Sequence, residues 1–292
     1  METNDILKKV RKIELKTRGL TNQVFSGEYH SAFKGRGMTF SEVREYQPGD
    51  EVRTIDWNVT ARFNHPYVKV FQEERELSII LLVDVSKSGT FGTQAQLKQE
   101  LITELSAVIS FSAMLNNDKV GVLFFSDKVE KFIPPKKGKK HILRMISESL
   151  QFKATGAGTN LAVALEYCTN AIKNRSIVFV ISDFMCPPFD KALKIANQRH
   201  DVVALRIYDR RELELPNIGL VQLIDSETNE LLWVDTADAN VRKQYEQASK
   251  IHQLSLSDLF KKSGVDVAHI ATGAGYIKIL SALFRKREKR LY

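Results

Sequence analysis

The chain has 292 residues, 43% of them hydrophobic and 27% charged, and its 43 Lys plus Arg outweigh 35 Asp plus Glu to give a formal net charge of +8. That composition excludes a disordered or collagen-like polymer and supports one large domain with a substantial core, or one domain with an appended module. No stretch reaches the roughly 20 apolar residues of a membrane-spanning helix, and METNDILKKV lacks a signal-peptide apolar core, so a cytoplasmic protein is expected.

Residues 1–76 begin with a basic helical stretch containing Lys8, Lys9, Arg11 and Lys12. They continue as GRGMTFSEVREYQPGDEVRTIDWNVTARFNHPYVKVFQEERE, with turn signals at Gly35, Gly37 and Pro48-Gly49. This part does not alternate strand and helix, and it reads as an N-terminal lobe that contains strands. Trp57 is expected in a core. Arg44, Arg53 and Arg62 are expected to pair locally with Glu42, Glu45, Asp50 and Asp56.

From residue 77 onward, apolar runs of strand length alternate with amphipathic helices, the pattern of a doubly wound, mostly parallel α/β sheet with helices on both faces. SIILLVDV (78–85) is a central strand and 96–115 a helix; VGVLFFSD (120–127) is a second strand. KVEKFIPP (128–135) pairs with it as a hairpin and is stopped by Pro134 and Pro135. Helices follow at 141–152 and 161–174, a strand at 176–184, a helix at 191–199 and a strand at 202–209. Residues 210–236 look like an inserted hairpin. A helix at about 239–262, a strand at 265–272 and a helix at 276–287 complete the domain, 77–292.

Cys168 and Cys186 stand outside any C-x-x-C pair and are expected to be reduced. The basic clusters, the last of them Arg285, Lys286, Arg287, Lys289 and Arg290, are separated in sequence and lack interleaved aromatics. That argues against nucleic acid and leaves at most a peripheral, reversible attraction to anionic membrane.

Several predicted strands end in acid. In an open parallel sheet, ligands bind beyond the carboxyl ends of the strands, where the winding order reverses. If the strand order is 3-2-1-4-5-6, that crevice lies between the strands ending in Asp84 and Asp183. Two facing carboxylates repel unless a cation or proton lies between them. Ser86 and Ser88 leave the first strand at alternate positions, and the loop TGAGTNLA (155–162) adds Thr159. Two carboxylates and three hydroxyls form a hard, all-oxygen donor set suited to Mg²⁺ or Mn²⁺ rather than Zn²⁺.

Asp84-x-Ser86-x-Ser88, then Thr159, then Asp183 in ISDF resembles the metal-ion-dependent adhesion site of von Willebrand factor A-like domains, over roughly residues 77–285. The segment from GRGMTF to FQEERE resembles the signature of the prokaryotic family called domain of unknown function 58. The resemblance implies a partner-binding adaptor without catalytic activity, acting with a MoxR-type AAA+ ATPase, with an acidic residue of the protein partner completing the metal shell.

Two other readings compete. A haloacid-dehalogenase-like phosphohydrolase also ends a strand in Asp at a Mg²⁺ site, but it needs a second Asp two residues later as general acid, and that position is Ser86. A metal-free regulatory module would bind through the N-terminal lobe.

Overall fold

The structure, a computed structural model, describes residues 10, 11, 13, 14, 37–74, 77–90, 92, 97–152, 154–156, 158–224 and 231–291. It divides into two compact units, Phe33–Leu77 and the remainder of the chain.

In the smaller unit, β1 (Gly37–Glu45) pairs antiparallel with β2 (Tyr67–Glu74). Helix α1 (Trp57–Phe63) lies between them in sequence. Its N-terminus is capped by Asp56, whose carboxylate accepts the backbone N–H groups of Asn58 and Val59. Arg44 makes a two-pronged ion pair with Asp50 at 2.8 and 2.7 Å, the local pairing expected of it. Trp57 does not enter a core: as the first residue of α1 it is 67% exposed.

The larger unit is built on a six-stranded sheet: β3 (Ser78–Asp84), β4 (Lys119–Phe125), β5 (Val129–Lys136), β6 (Ile177–Ser182), β7 (Asp201–Tyr208) and, after a hairpin, β10 (Asp266–Ala271). Its spatial order is β10-β7-β6-β3-β4-β5, with β5 alone antiparallel. This is the 3-2-1-4-5-6 winding expected from the sequence. β3 and β6, the two strands at the reversal, are adjacent. Both are almost wholly buried, as continuous apolar runs covered on both faces must be. β5 runs through Pro134 and Pro135 to Lys136 rather than stopping at them, which an edge strand tolerates because an outward position needs no donor. The close approach there requires Gly121, where a Cβ would lie 2.9 Å from the Ile133 carbonyl and the Pro135 nitrogen.

Helices α4 (Leu161–Ala171), α5 (Asp190–Arg199) and α6 (Ala239–Ser263) cover one face. Leu161, Leu165, Leu193, Leu256 and Phe260 join Ile80, Leu82, Val178, Val180, Val202 and Ala204 in one core. On the other face α2 (Lys98–Leu115) lies against β3, β4 and β7, and α7 (Tyr276–Leu291) places Phe284 edge-on to Phe179 at 6.5 Å. α2 is buried almost all round. The hydroxyls of Thr103, Ser106 and Ser110 are accommodated by donating to carbonyls one turn earlier.

α3 (Lys139–Gln151) packs beside α2, and Val10 joins Ala107, Phe111, Ile142 and Ile146 in a second apolar cluster. Glu14 pairs with Lys139. The described residues of the first helix therefore belong with the sheet domain, not with a lobe spanning 1–76, because their apolar face is buried on α2 and α3. The inserted hairpin forms as expected: β8 (Leu220–Ile224) pairs with β9 (Leu231–Asp235) as a separate two-stranded sheet that leaves Leu220, Ile224, Leu231, Leu232 and Trp233 exposed.

Candidate metal centre

β3 ends at Asp84, and its carboxylate is 4% exposed. One oxygen accepts the backbone N–H of Ser86 at 3.0 Å and the other accepts the Ser182 hydroxyl at 2.6 Å. Burial and the neighbouring charge of Asp183 raise the Asp84 pKa above the usual carboxylate range, against the lowering pull of the Ser182 and Ser86 hydrogen bonds. The hydroxyls of Ser86 and Ser88 lie 3.0 Å apart. Asp183 follows β6 and is 6% exposed; its Oδ1 accepts the Met185 N–H at 3.0 Å. Asp84, Ser88, Lys98 and Asp183 line one partly open space of about 10 Å³, the size of a single water or ion.

Four of the five residues singled out in the sequence are thus drawn together at the switch point, three by that shared cavity and Ser86 by its bonds to Asp84 and Ser88. Thr159 sits just before α4 and is 4% exposed; its hydroxyl finds no hydrogen-bond partner among the described residues. No described contact ties it to the other four. A buried hydroxyl without a partner is costly, and a ligand is one of the groups that could satisfy it. Among the described residues no three His, Cys, Asp or Glu side chains gather, so a zinc-type centre is not built here. The donors at hand are carboxylate and hydroxyl oxygens. The Ser86 and Ser88 hydroxyls hydrogen-bond to each other at 3.0 Å, which holds the two oxygens side by side. The set fits a small hard cation.

The family described as "Protein of unknown function DUF58" matches residues 42–255. The chain belongs to that family. Relatives of this DUF58 chain are Uncharacterized protein Mb1516 of Mycobacterium bovis and Uncharacterized protein Rv1480 of Mycobacterium tuberculosis. Each is 30% identical over 272 residues, 92% of this chain and 85% of the relative. Among solved structures it is similar to BatB from Bacteroides thetaiotaomicron, with 17% identity, TM-score 0.44, and coverage of 73% of this chain and 99% of that one. It is also similar to the SpRpn10 VWA domain, with 9% identity, TM-score 0.41, and coverage of 72% and 95%. The chain is thus a DUF58 protein built on a doubly wound, mainly parallel sheet.

The DUF58 chain also contains two groups that sequence reasoning missed. Lys98, the first residue of α2, is 2% exposed, and its ammonium bridges Asp183 at 2.8 Å and Glu212 at 2.5 Å. Burial alone would lower the lysine's pKa; the two carboxylates outweigh it and raise it. Glu130, on β5, accepts the Ser126 hydroxyl at 2.7 Å, the Thr155 N–H at 2.9 Å and the Gly156 N–H at 2.8 Å on one oxygen, and the Thr155 hydroxyl on the other. Burial would raise its pKa, but these bonds pull it down to about 2. Glu130 fixes the loop that leads to Thr159. Lys98 meets both its partners, and Glu130 its Thr155 and Gly156 partners, only through the fold; Ser126, four residues before Glu130, is a local partner.

Proposed function

We propose that this protein is a partner-binding adaptor whose recognition centre holds Mg²⁺ or Mn²⁺ through Asp84, Ser86, Ser88, Thr159 and Asp183, and that an acidic side chain of the partner supplies a further ligand. The observation that carries this reading is the convergence of two buried carboxylates and two hydroxyls 3.0 Å apart at the sheet's switch point. The resemblance to the domain of unknown function 58 family, which implies action with a MoxR-type AAA+ ATPase, makes such an ATPase the expected partner. Exposed apolar side chains on the β8–β9 hairpin are of the kind that mark protein contact surfaces. The buried thiol of Cys168 is in keeping with a reducing, cytoplasmic setting, and among the described residues no helix is long and apolar enough to cross a membrane.

Affinity purification of the full chain from its host, with and without chelator, tests the reading. Wild type should capture its partner only with Mg²⁺ or Mn²⁺ present, and Asp84→Ala should lose that capture while remaining folded. Equal capture by Asp84→Ala and by wild type in EDTA would end the metal-mediated reading.

Lys98 favours a second reading. Its ammonium already supplies a positive charge to Asp183, so the domain could recognise partners without a metal. Titrating the protein with Mg²⁺ in a calorimeter separates the two: no heat of binding from wild type supports the metal-free module.

The phosphohydrolase alternative lacks the general acid it needs at the position that chemistry uses. At the position where that chemistry requires a carboxylic acid, Ser86 is engaged with Ser88. Turnover of phenyl phosphate, lost in Asp84→Asn, would restore that reading.

A further inference from the structure

Beside the candidate metal centre, and separated from its small cavity by Asp183, lies a larger cavity of about 320 Å³ between the end of β7 and the inner side of α6. Its lining includes Asp183, Arg206, Glu212, Tyr245, Ser249 and His252, and its volume falls in the usual range of small-ligand sites. Most of the exposed wall is apolar.

Arg206 is the unusual member. It sits on a strand whose neighbours Val202 and Ala204 on the same face are core residues, and it is only 6% exposed. Its guanidinium lies 5.5 Å over the Tyr208 ring. It makes no hydrogen bond or ion pair with any described residue, and its Nε is buried without a partner. The two acids nearest in charge are committed elsewhere. Asp183 receives Lys98 on one oxygen and the Met185 N–H on the other. Glu212 receives Lys98 on one and the Asp209 N–H on the other. Across the cavity, His252 also has a buried Nε2 with no partner among the described residues. Burial lowers the pKa of both Arg206 and His252, the response of cations held out of water without adequate compensation.

A guanidinium whose Nε is buried with no acceptor among the described residues is costly, and an entering anion that satisfies it returns part of that cost as binding energy. Arg presents its donors as a planar fork matched to carboxylate and phosphate oxygens. His252 and Tyr245 line the same cavity and can add donors, while the apolar remainder suits a hydrocarbon or aromatic body.

We propose that this cavity is a binding site for a small organic anion, its carboxylate or phosphate monoester group seated on Arg206 and His252. The site does not require the divalent cation. It lies next to Asp183 and Glu212, both held by Lys98, so its occupancy would be felt at the recognition centre.

The test uses the full chain in EDTA, which keeps it independent of the metal reading. Benzoate and phenyl phosphate represent the two anion types, and inorganic phosphate is the control for an adventitious ion. Calorimetric titration should give saturable binding of benzoate or phenyl phosphate with Kd below about 1 mM. That binding should weaken at least about tenfold in Arg206→Met, as expected for loss of a charge-assisted bidentate contact. In a protein with ¹³C-labelled histidine, one of the six histidine ring signals, assigned to His252 by its absence from His252→Asn, should shift along the same titration. If Arg206→Met does not fold, the His252 shift in wild type and weakened binding by His252→Asn carry the decision. The proposal falls if neither organic anion saturates, if inorganic phosphate binds as tightly as both, or if Arg206→Met and His252→Asn bind like wild type.

Discussion

Lys98 stands 85 residues from Asp183 and 114 from Glu212, yet its ammonium joins them. Removing one partner of a buried, hydrogen-bonded charge cluster leaves the others uncompensated and costs about 3–5 kcal/mol. Lys98→Met should therefore unfold earlier than wild type in EDTA by roughly that amount. If a divalent cation shares Asp183, Mg²⁺ should recover part of the loss, giving the variant a larger Mg²⁺-induced rise in Tm than wild type shows. Equal midpoints of the two proteins in EDTA would mean the clamp contributes nothing; equal Mg²⁺ responses would mean the cation does not use Asp183. The lysine was illegible for a simple reason. In QLKQE (96–100) it reads as a solvated first-turn residue, and only the fold brings two acids to it. Asp84, Ser86, Ser88 and Asp183 were legible because strand ends in a parallel sheet are placed by topology, and topology is written in the apolar runs themselves.

At the scale of the element, the loop between α3 and α4 is held by Glu130 from an edge strand. The Glu130 carboxyl has a pKa of about 2 in the folded protein against an ordinary value of 4.5. A group with a depressed folded pKa stabilises fully above its ordinary value, and its contribution disappears as pH falls through the folded one. The difference in urea midpoint between wild type and Glu130→Gln should thus be widest at neutral pH and shrink as pH drops from about 5 toward 2. A gap that stays constant over that range would show that charge plays no part in the anchor. The same loop constrains Gly156. A Cβ there would collide with the Ser126 hydroxyl and the Asp127 carboxylate, so Gly156→Ala should displace the loop, at a cost of about 1–3 kcal/mol, and disturb the placement of Thr159. Unfolding midpoints with the alanine variant close to wild type would show that the loop yields freely. The glycines of TGAGTN were readable as turn residues; that Gly156 must be small because of side chains 29 and 30 residues earlier was not. The stretch 37–74 was readable as a strand-bearing lobe, but Trp57 was misplaced because aromatic residues are usually buried and no periodic partner in that short helix contradicted the usual case.

For the whole molecule, the net charge of +8 invites the view that the terminal basic helix is a free cationic surface. Arg287 departs from it. Its side chain is 10% exposed and reaches from α7 to the amino ends of two parallel strands, donating to Asp266 at 2.9 Å and to both oxygens of Asp201 at 2.6 and 2.5 Å. The guanidinium therefore closes the edge of the sheet opposite the candidate centre, fixing β10 against β7 and α7 against both. Two acids begin their strands there, and without the arginine they would repel across a partly dry gap. Arg287→Met should lower the unfolding free energy by about 3–5 kcal/mol. Lys289→Met, on an exposed position of the same helix, should stay within about 0.5 kcal/mol of wild type. Equal losses from the two variants would mean that the tail stabilises through its overall charge and not through this clamp. An unequal result would single out Arg287 within the terminal basic cluster as the residue that holds the sheet together, while Lys289, exposed on the same helix, stays available to an anionic surface.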